Sequence, residues 1–340
     1  MECRVKKADV VQKILQSATD TSQAVARREQ GVAYAPTNIA LCKYWGKRDT
    51  ELNLPVTSSL SIALPDKGAM TTLTFTSNSF DTVTLNGNEL AQDSEFVKRL
   101  VKYLDLFRFD LAWNLHVDIK MNIPPAAGLA SSACGFASVA CALNDLFQWQ
   151  LTQRDLSILA RLGSGSAARS LWNGFVLWNE GMLEDGMDSV GEPLTCDWPS
   201  LRVGILPISD APKPISSRDA MLRTVNSSSL YNCWPRKVSQ DMAIFKQALK
   251  TKNFALLAGT AESNALSMHA TMLSSWPPIC YFLPETLMAM QRVWALRHEG
   301  CEVYFTQDAG PNLKLLFLEP QTSVLTEAFP DMEVIKVFLE

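Results

Sequence analysis

The run Pro124-Pro125-Ala126-Ala127-Gly128-Leu129-Ala130-Ser131-Ser132-Ala133 places a glycine, small side chains and two hydroxyls directly ahead of a helical pattern. The first backbone N–H groups of a helix have no intrahelical partners, and small residues let an anion approach them, so this loop suits a phosphate. A plain strand-to-helix connection capped by Ser131 or Ser132 fits the same residues. The Walker A pattern is absent, so a nucleotide bound here is held without a P-loop lysine. A second group is Lys43-Tyr44-Trp45-Gly46-Lys47-Arg48, three cations and two aromatics in six residues. It reads either as a solvated basic turn or as a clamp in which ammonium groups and a phenol hold a polyphosphate. A third is Gly163-Ser164-Gly165-Ser166-Ala167-Ala168-Arg169, where the pattern predicts a helix N-terminus with Arg169 in its first turn. A cation there opposes the helix dipole unless an anion is at hand, and two hydroxyls beside a guanidinium suit a phosphate or carboxylate. Asp308 stands in a turn with Gly310 and Pro311, either as an Asx-turn residue or as a presented carboxylate. His116, His269 and His298 lack metal-ligand spacing and read as structural or surface residues.

These groups need a scaffold, and the periodicities describe one. From Leu111 to Ile123 the odd positions are apolar and the even ones polar, which predicts a strand with one buried face leading into the Gly128 loop. After Ser132, Ala133, Phe136, Ala137, Ala140 and Cys141 recur at helical spacing. Residues 31–85 are strand-rich, with Thr71, Leu73 and Phe75 alternating and Asn86-Gly87 marking a hairpin. A helix is expected near Ser94–Leu106, and Thr152-Gln153-Arg154-Asp155 has the form of a capping box for a helix closed by Gly163. Helical text from Val238 to His298 precedes two strands, Glu302–Thr306 and Leu313–Leu318, which flank Asp308. Near the start, Val10, Val11, Ile14, Leu15 and Ala18 lie on one face of a short helix suited to docking on the body. The expected organisation is a leader (1–30), one unit over 31–199 and a second over 200–340, each mixing strands and helices.

Composition narrows the class. With 47% hydrophobic and 19% charged residues the chain is an ordinary globular protein, and 31 basic against 35 acidic residues leave no basic footprint for nucleic acid. The eight cysteines are scattered without metal-binding pairs and read as reduced, mostly buried thiols. No apolar run approaches membrane-spanning length, so the expectation is a soluble cytoplasmic protein with no membrane partner.

Taken together, Ala35-Pro36-Thr37-Asn38-Ile39-Ala40 through Leu64, the Gly128 loop, Gly-Ser-Gly-Ser-Ala-x-Arg-Ser (163–170) and Asp-Ala-Gly-Pro-Asn (308–312) resemble the diphosphomevalonate decarboxylase family. Ser216-Ser217-Arg218-Asp219-Ala220-Met221 resembles its bacterial form. The family belongs to the small-molecule (GHMP) kinase superfamily of galactokinase, homoserine kinase and mevalonate kinase. The resemblance implies a two-domain α+β fold, ribosomal protein S5 domain 2-like in the N-terminal half and ferredoxin-like in the C-terminal half. It further implies a homodimer and ATP with Mg²⁺, but no metal held by the protein alone. The implied activity is phosphorylation of the 3-hydroxyl of 5-diphosphomevalonate, then loss of phosphate and CO₂ to give isopentenyl diphosphate. In that scheme Asp308 orients or deprotonates the 3-hydroxyl, Arg169 aligns Asp308 and the substrate carboxylate, and Lys43 neutralises charge near the transferred phosphoryl. Tyr44, Lys47, Ser164, Ser166, Ser217 and Arg218 hold the diphosphate. Pro125, Ala127, Gly128, Leu129, Ala130, Ser131 and Ser132 hold the ATP phosphates. Two alternatives stay open at this stage: a 3-kinase for mevalonate or its 5-phosphate on the same fold, and a non-catalytic ligand-binding homologue.

Overall fold

The computed structural model describes residues 4–18, 27–109, 111, 113–123 and 131–338. Its first sheet is organised by the strand Ser59–Thr76. One edge of that strand pairs antiparallel with Gln30–Cys42, and the other pairs with Phe175–Trp178 over its first residues and Asn114–Met121 over its last. Leu115, Val117 and Ile119 are fully buried, as the alternation requires. The expected strand is shorter than predicted, however, because Leu111 is 53% exposed and pairing begins only at Asn114. Thr82–Leu85 adds a parallel strand, and the Asn86-Gly87 turn (φ 51° and 80°) folds Asn88–Glu89 back onto it. Such a turn needs positive φ at both positions, which Asn and Gly adopt at least cost.

Helices cover one face of this sheet. Ser131–Phe147 lies so close to the first strand that a Cβ on Gly31 would sit 2.2 Å from the Ala142 carbonyl. Thr152 caps Gln153–Gly163 in the expected capping box. The helix Lys7–Ala18 docks on Gln153–Gly163 and on the turn Asp105–Phe107, burying Val10, Val11, Ile14 and Leu15. Full burial of such a side chain is worth about 1.5–3 kcal/mol, against about 1 kcal/mol at most for an exposed ion pair. Apolar burial therefore holds the helix, while Arg4–Asp49 (2.7 Å) and Lys13–Asp185 (2.8 Å) set its orientation.

The second sheet is antiparallel throughout, ordered Val303–Gln307, Leu313–Leu318, Leu201–Leu206, Glu333–Lys336. The helices Trp234–Thr251 and Phe254–Leu273 pack on one face, and Pro284–His298 on the other. The two halves share a core. Ile39, Leu41, Leu60, Ile62 and Phe175 of the first sheet pack in one cluster with Val203, Phe245, Leu257 and Leu316. Among the described cysteines, all free, Cys42, Cys134 and Cys301 are buried while Cys233 and Cys280 are exposed, so burial is less general than composition implied.

Candidate active site

Along the seam between the halves lies a polar cleft of about 590 Å³. Lys43 enters it where the first strand leaves its ladder. The register slips between Ala40 and Cys42, and the Ala40 carbonyl accepts a hydrogen bond from Lys43 Nζ at 2.8 Å. The same nitrogen donates to Asp308 Oδ1 at 2.7 Å, across 265 residues of sequence. Behind it, the Lys43 backbone N–H donates to Asn264 Oδ1 (2.8 Å), whose amide donates to Asp241, itself paired with Lys237. This chain of bonds ties Lys43 to both long helices. Its ammonium is 2% exposed, and burial pushes its pKa down while Asp308 pulls the other way.

Asp308 follows the strand Val303–Gln307, and its turn is braced from three sides. Gly310 N–H donates to the Asp308 carbonyl (2.8 Å), Gln307 donates to the Gly310 carbonyl, and Asn312 Oδ1 accepts from Ile208 and Ser209. His269 Nε2 lies 3.2 Å from the Asp308 carbonyl. A carbonyl only accepts, so that nitrogen carries the hydrogen, and burial holds the ring neutral with a pKa near 3. Lys314 approaches the other carboxylate oxygen at 3.7 Å. In the strand Leu313–Leu318, Leu313, Leu315 and Phe317 enter one core and Leu316 the opposite one; Lys314 shares the parity of Leu316 and so faces the cleft side. Burial favours protonation of Asp308, but Lys43 and then Lys314 outweigh it and hold the pKa at about 2. Lys314 is pushed down to about 8 by burial and Lys43, against the pull of Asp308.

Arg169 is 2% exposed, donates from Nη1 to Ser59 Oγ and lies 5.7 Å from the Trp178 ring centre. Burial lowers its pKa to about 10, which leaves it charged at neutral pH, and its Nε has no partner among the described residues. The Tyr44 hydroxyl, also buried, likewise lacks a partner among the described residues. Its ring meets Trp178 edge-on at 4.8 Å. Ser164 Oγ lies 3.3 Å from both Ser166 Oγ and Ser132 Oγ, which joins the Gly-Ser loop to the start of the helix Ser131–Phe147. Lys47 donates to Asn53 Oδ1 at 2.6 Å, and Asn53 donates in turn to the Arg161 and Leu162 carbonyls. Ser217 and Arg218 open the helix Ser217–Ser227, capped by Ser216.

Lys43, Tyr44, Lys47, Ser131, Ser132, Ser164, Ser166, Arg169, Ser217, Arg218 and Asp308 thus all line the one cleft. Pro125, Ala127, Gly128, Leu129 and Ala130 lie outside the described residues. One expectation is corrected. Arg169 is not in the first turn of a helix but ends the five-residue 3-10 segment Gly165–Arg169, so the helix-dipole argument for an anion does not apply there. The cleft also contains Asn38 and Asn53, both within the Ala35–Leu64 block that carries the resemblance, and three residues not singled out from sequence, Glu95, Arg99 and Lys213. Lys314 was legible in principle, as the single charge in the apolar run Leu313–Leu318.

A family model described as the diphosphomevalonate decarboxylase-like N-terminal domain matches residues 35–191, and one described as the mevalonate 5-diphosphate decarboxylase C-terminal domain matches residues 203–337. Among curated relatives, the Saccharomyces cerevisiae diphosphomevalonate decarboxylase is 37% identical over 314 residues, which cover 86% of this chain and 78% of the yeast one. Among solved structures, the mevalonate diphosphate decarboxylase from Staphylococcus aureus superposes with a TM-score of 0.86 at 34% identity, covering 91% of this chain and 96% of the other. A complex of MDDEF with MVAPP, AMPPCP and magnesium superposes at 0.84 with 39% identity, covering 90% and 96%. The architecture is that of the two-domain GHMP small-molecule kinases. Both halves and the relatives agree on one branch of that class: the chain belongs to the diphosphomevalonate decarboxylase family.

Proposed function

We propose that this cleft carries out the ATP-dependent decarboxylation of 5-diphosphomevalonate to isopentenyl diphosphate, a step of isoprenoid and sterol precursor synthesis. The observation that carries the reading is the Asp308 carboxylate held between Lys43 and Lys314, in a cleft that also presents Arg169, Lys47 and the Ser131–Ser132 helix start. The 3-hydroxyl of the substrate would bond to Asp308. A carboxyl with a pKa near 2 is a weak base, so its first task is to aim the hydroxyl oxygen at the γ-phosphorus. As the hydroxyl oxygen bonds to the γ-phosphorus, the β,γ-bridging P–O bond breaks with its electron pair on ADP, the hydroxyl proton passes to Asp308, and Lys43 balances the charge. The C3–O bond then breaks with its electron pair leaving on phosphate. The C1–C2 bond breaks next, CO₂ departs, and its electron pair becomes the C2–C3 double bond. Arg169, with an uncommitted Nε, holds the carboxylate that becomes CO₂. Tyr44, Lys47, Ser164, Ser166, Ser217 and Arg218 hold the diphosphate.

ATP phosphates fit beside Ser131 and Ser132, where hydroxyls and the helix start face the cleft. Mg²⁺ enters this reading as a companion of the polyphosphate, as it accompanies AMPPCP in the complex of the related enzyme. When bound it supplies charge neutralisation to the phosphates. The setting we propose is the cytoplasm, and the assembly a homodimer. Incubation with MgATP and, separately, mevalonate, its 5-phosphate and its 5-diphosphate tests the reading. The 5-diphosphate should yield CO₂, phosphate and ADP in equal amounts. ATP consumption without CO₂ would replace the reading with a 3-kinase, and no turnover of any of the three would leave a binding homologue.

A further inference from the structure

Lys43 and Asp308 come from different halves of the chain, yet one helix, Phe254–Leu273, bonds to the backbone of both. Its contacts on one face run along the strand that ends at Asp308. That strand, Val303–Gln307, is the edge of its sheet, so its outward N–H groups need partners from outside the ladder. Glu262, a buried carboxylate fixed by Trp294 Nε1 (2.8 Å) and by Arg297, accepts from the Phe305 N–H at 3.2 Å. Two helical turns later, His269 Nε2 donates to the Asp308 carbonyl at 3.2 Å, its ring stacked on Phe282 with centres 4.8 Å apart. Seven helical residues rise about 10.5 Å and three extended residues span about 10 Å, so the two contacts keep step. Asn264 projects on the nearly opposite face, about 200° around the axis from Glu262 and about 140° from His269. Its Oδ1 accepts from the Lys43 N–H at 2.8 Å, and its amide nitrogen donates to Asp241 at 2.7 Å. Only the amide nitrogen can donate to that carboxylate, which turns the oxygen towards Lys43.

We infer that Asn264 and His269 are positioning residues for the reaction, and that the helix Phe254–Leu273 is the gauge that sets where the Lys43 ammonium meets the Asp308 carboxylate. This deepens the function proposed above and rests on it. Neither side chain lines the cleft, so both act through the backbones they hold and not on substrate. The helix is a rigid body gripping one partner from each face, so loss of either grip frees one backbone to relax against the other. A misplacement of about 1 Å at a reacting group is enough to cost a large part of the rate, whereas the diphosphate is held by other residues and its binding is spared.

The test compares His269→Phe, His269→Gln, His269→Asn and Asn264→Leu in the full chain, each alone and combined with Lys43→Met. Phe keeps the ring and its stacking but loses the donor, Gln places an amide N–H where Nε2 stands, and Asn reaches only as far as Nδ1. His269→Phe, His269→Asn and Asn264→Leu should each lower kcat roughly tenfold, the upper scale of one lost neutral hydrogen bond, with KM for 5-diphosphomevalonate within about twofold. His269→Gln should stay within about threefold of the wild-type kcat on the same scale. Added to Lys43→Met, each change should cost less than about twofold, because a residue that acts only through the pair has nothing left to act on. The inference is overturned by an unchanged kcat in His269→Phe, by a raised KM at constant kcat, by a Gln variant no better than Phe, or by a full further loss in the Lys43→Met background. Should Asn264→Leu fail to fold, the His269 series decides alone. Crystal structures separate this inference from the function: if the wild type turns over none of the three mevalonates, the proposed function fails. A His269→Phe structure in which the 2.7 Å Lys43–Asp308 contact has opened then leaves the gauge standing, and one in which it has not moved overturns it.

Discussion

Replacing Asp308 by Asn removes a charge and keeps the shape. Lys43 would then keep the Ala40 carbonyl and an amide oxygen, but its ammonium, 2% exposed, would lose the charge that compensates it, as would Lys314. Removing one partner of a buried pair costs on the order of 3–5 kcal/mol of folding stability, and the cost depends on pH. In the variant, Lys43 and Lys314 have folded-state pKa values further below those of the unfolded chain than in the wild type. The added destabilisation is therefore fully present below their folded values and fades as pH rises towards the unfolded value of about 10.4. Urea unfolding at pH 7 and at pH 9.5 should show a smaller wild-type-to-variant difference at the higher pH. Turnover should fall by about 10²–10⁴, the range for a lost positioning and proton-accepting group, equivalent to roughly 3–5 kcal/mol in the barrier. KM should change little, because the diphosphate is held at the far end of the cleft. A variant that kept kcat within threefold, or that lost only KM, would refute the assignment of Asp308 to the reacting hydroxyl.

Lys43→Met should leave Asp308 with burial opposed chiefly by Lys314 and Lys213, so its pKa rises from about 2, and the acid limb of the variant's residual kcat/KM should lie at higher pH than that of the wild type. Lys47, with a pKa of about 8 before substrate binds, loses its charge as pH rises through that value, and diphosphate binding pulls the proton back. The KM for 5-diphosphomevalonate should accordingly climb above pH 8, with proton uptake seen by calorimetry in buffers of different ionisation enthalpy; a flat KM to pH 9.5 contradicts this. Removing residues 1–18 strips four apolar side chains from the core and should cost on the order of 5 kcal/mol, read as a large fall in the urea midpoint.

Much of the site could be read from the chain because its residues sit in short runs whose types are unusual together. The Lys43–Arg48 cluster, the Gly-Ser loop and the Asp308 turn each stand out locally, and the Thr152 capping box and the Asn86-Gly87 hairpin were set by neighbours within four residues. What escaped depends on tertiary placement. Arg99 sits on a helix whose charged residues look like ordinary solvated surface, and only tertiary packing brings it to the cleft. Asn264 lies in a helix buried nearly all round, so its bond to the Lys43 backbone leaves no periodic trace. His269 was read as structural, and it does brace the backbone of Asp308, a contact between residues 39 apart. Arg169 was read against the wrong local geometry, because Gly163 ends one helix and the residues after it make only a tight 3-10 turn.

The apolar cluster shared by both sheets has a consequence for cooperativity. Since Ile39 and Ile62 touch the same interior as Val203 and Leu316, a cut near residue 200 would expose hydrocarbon on both fragments, and neither would be expected to survive alone. Lys43 and Asp308 approach the cleft from opposite sides of that interior, so their separation cannot drift without disturbing close-packed side chains. The enzyme is therefore built to melt as one body and to lose its chemistry in the same step.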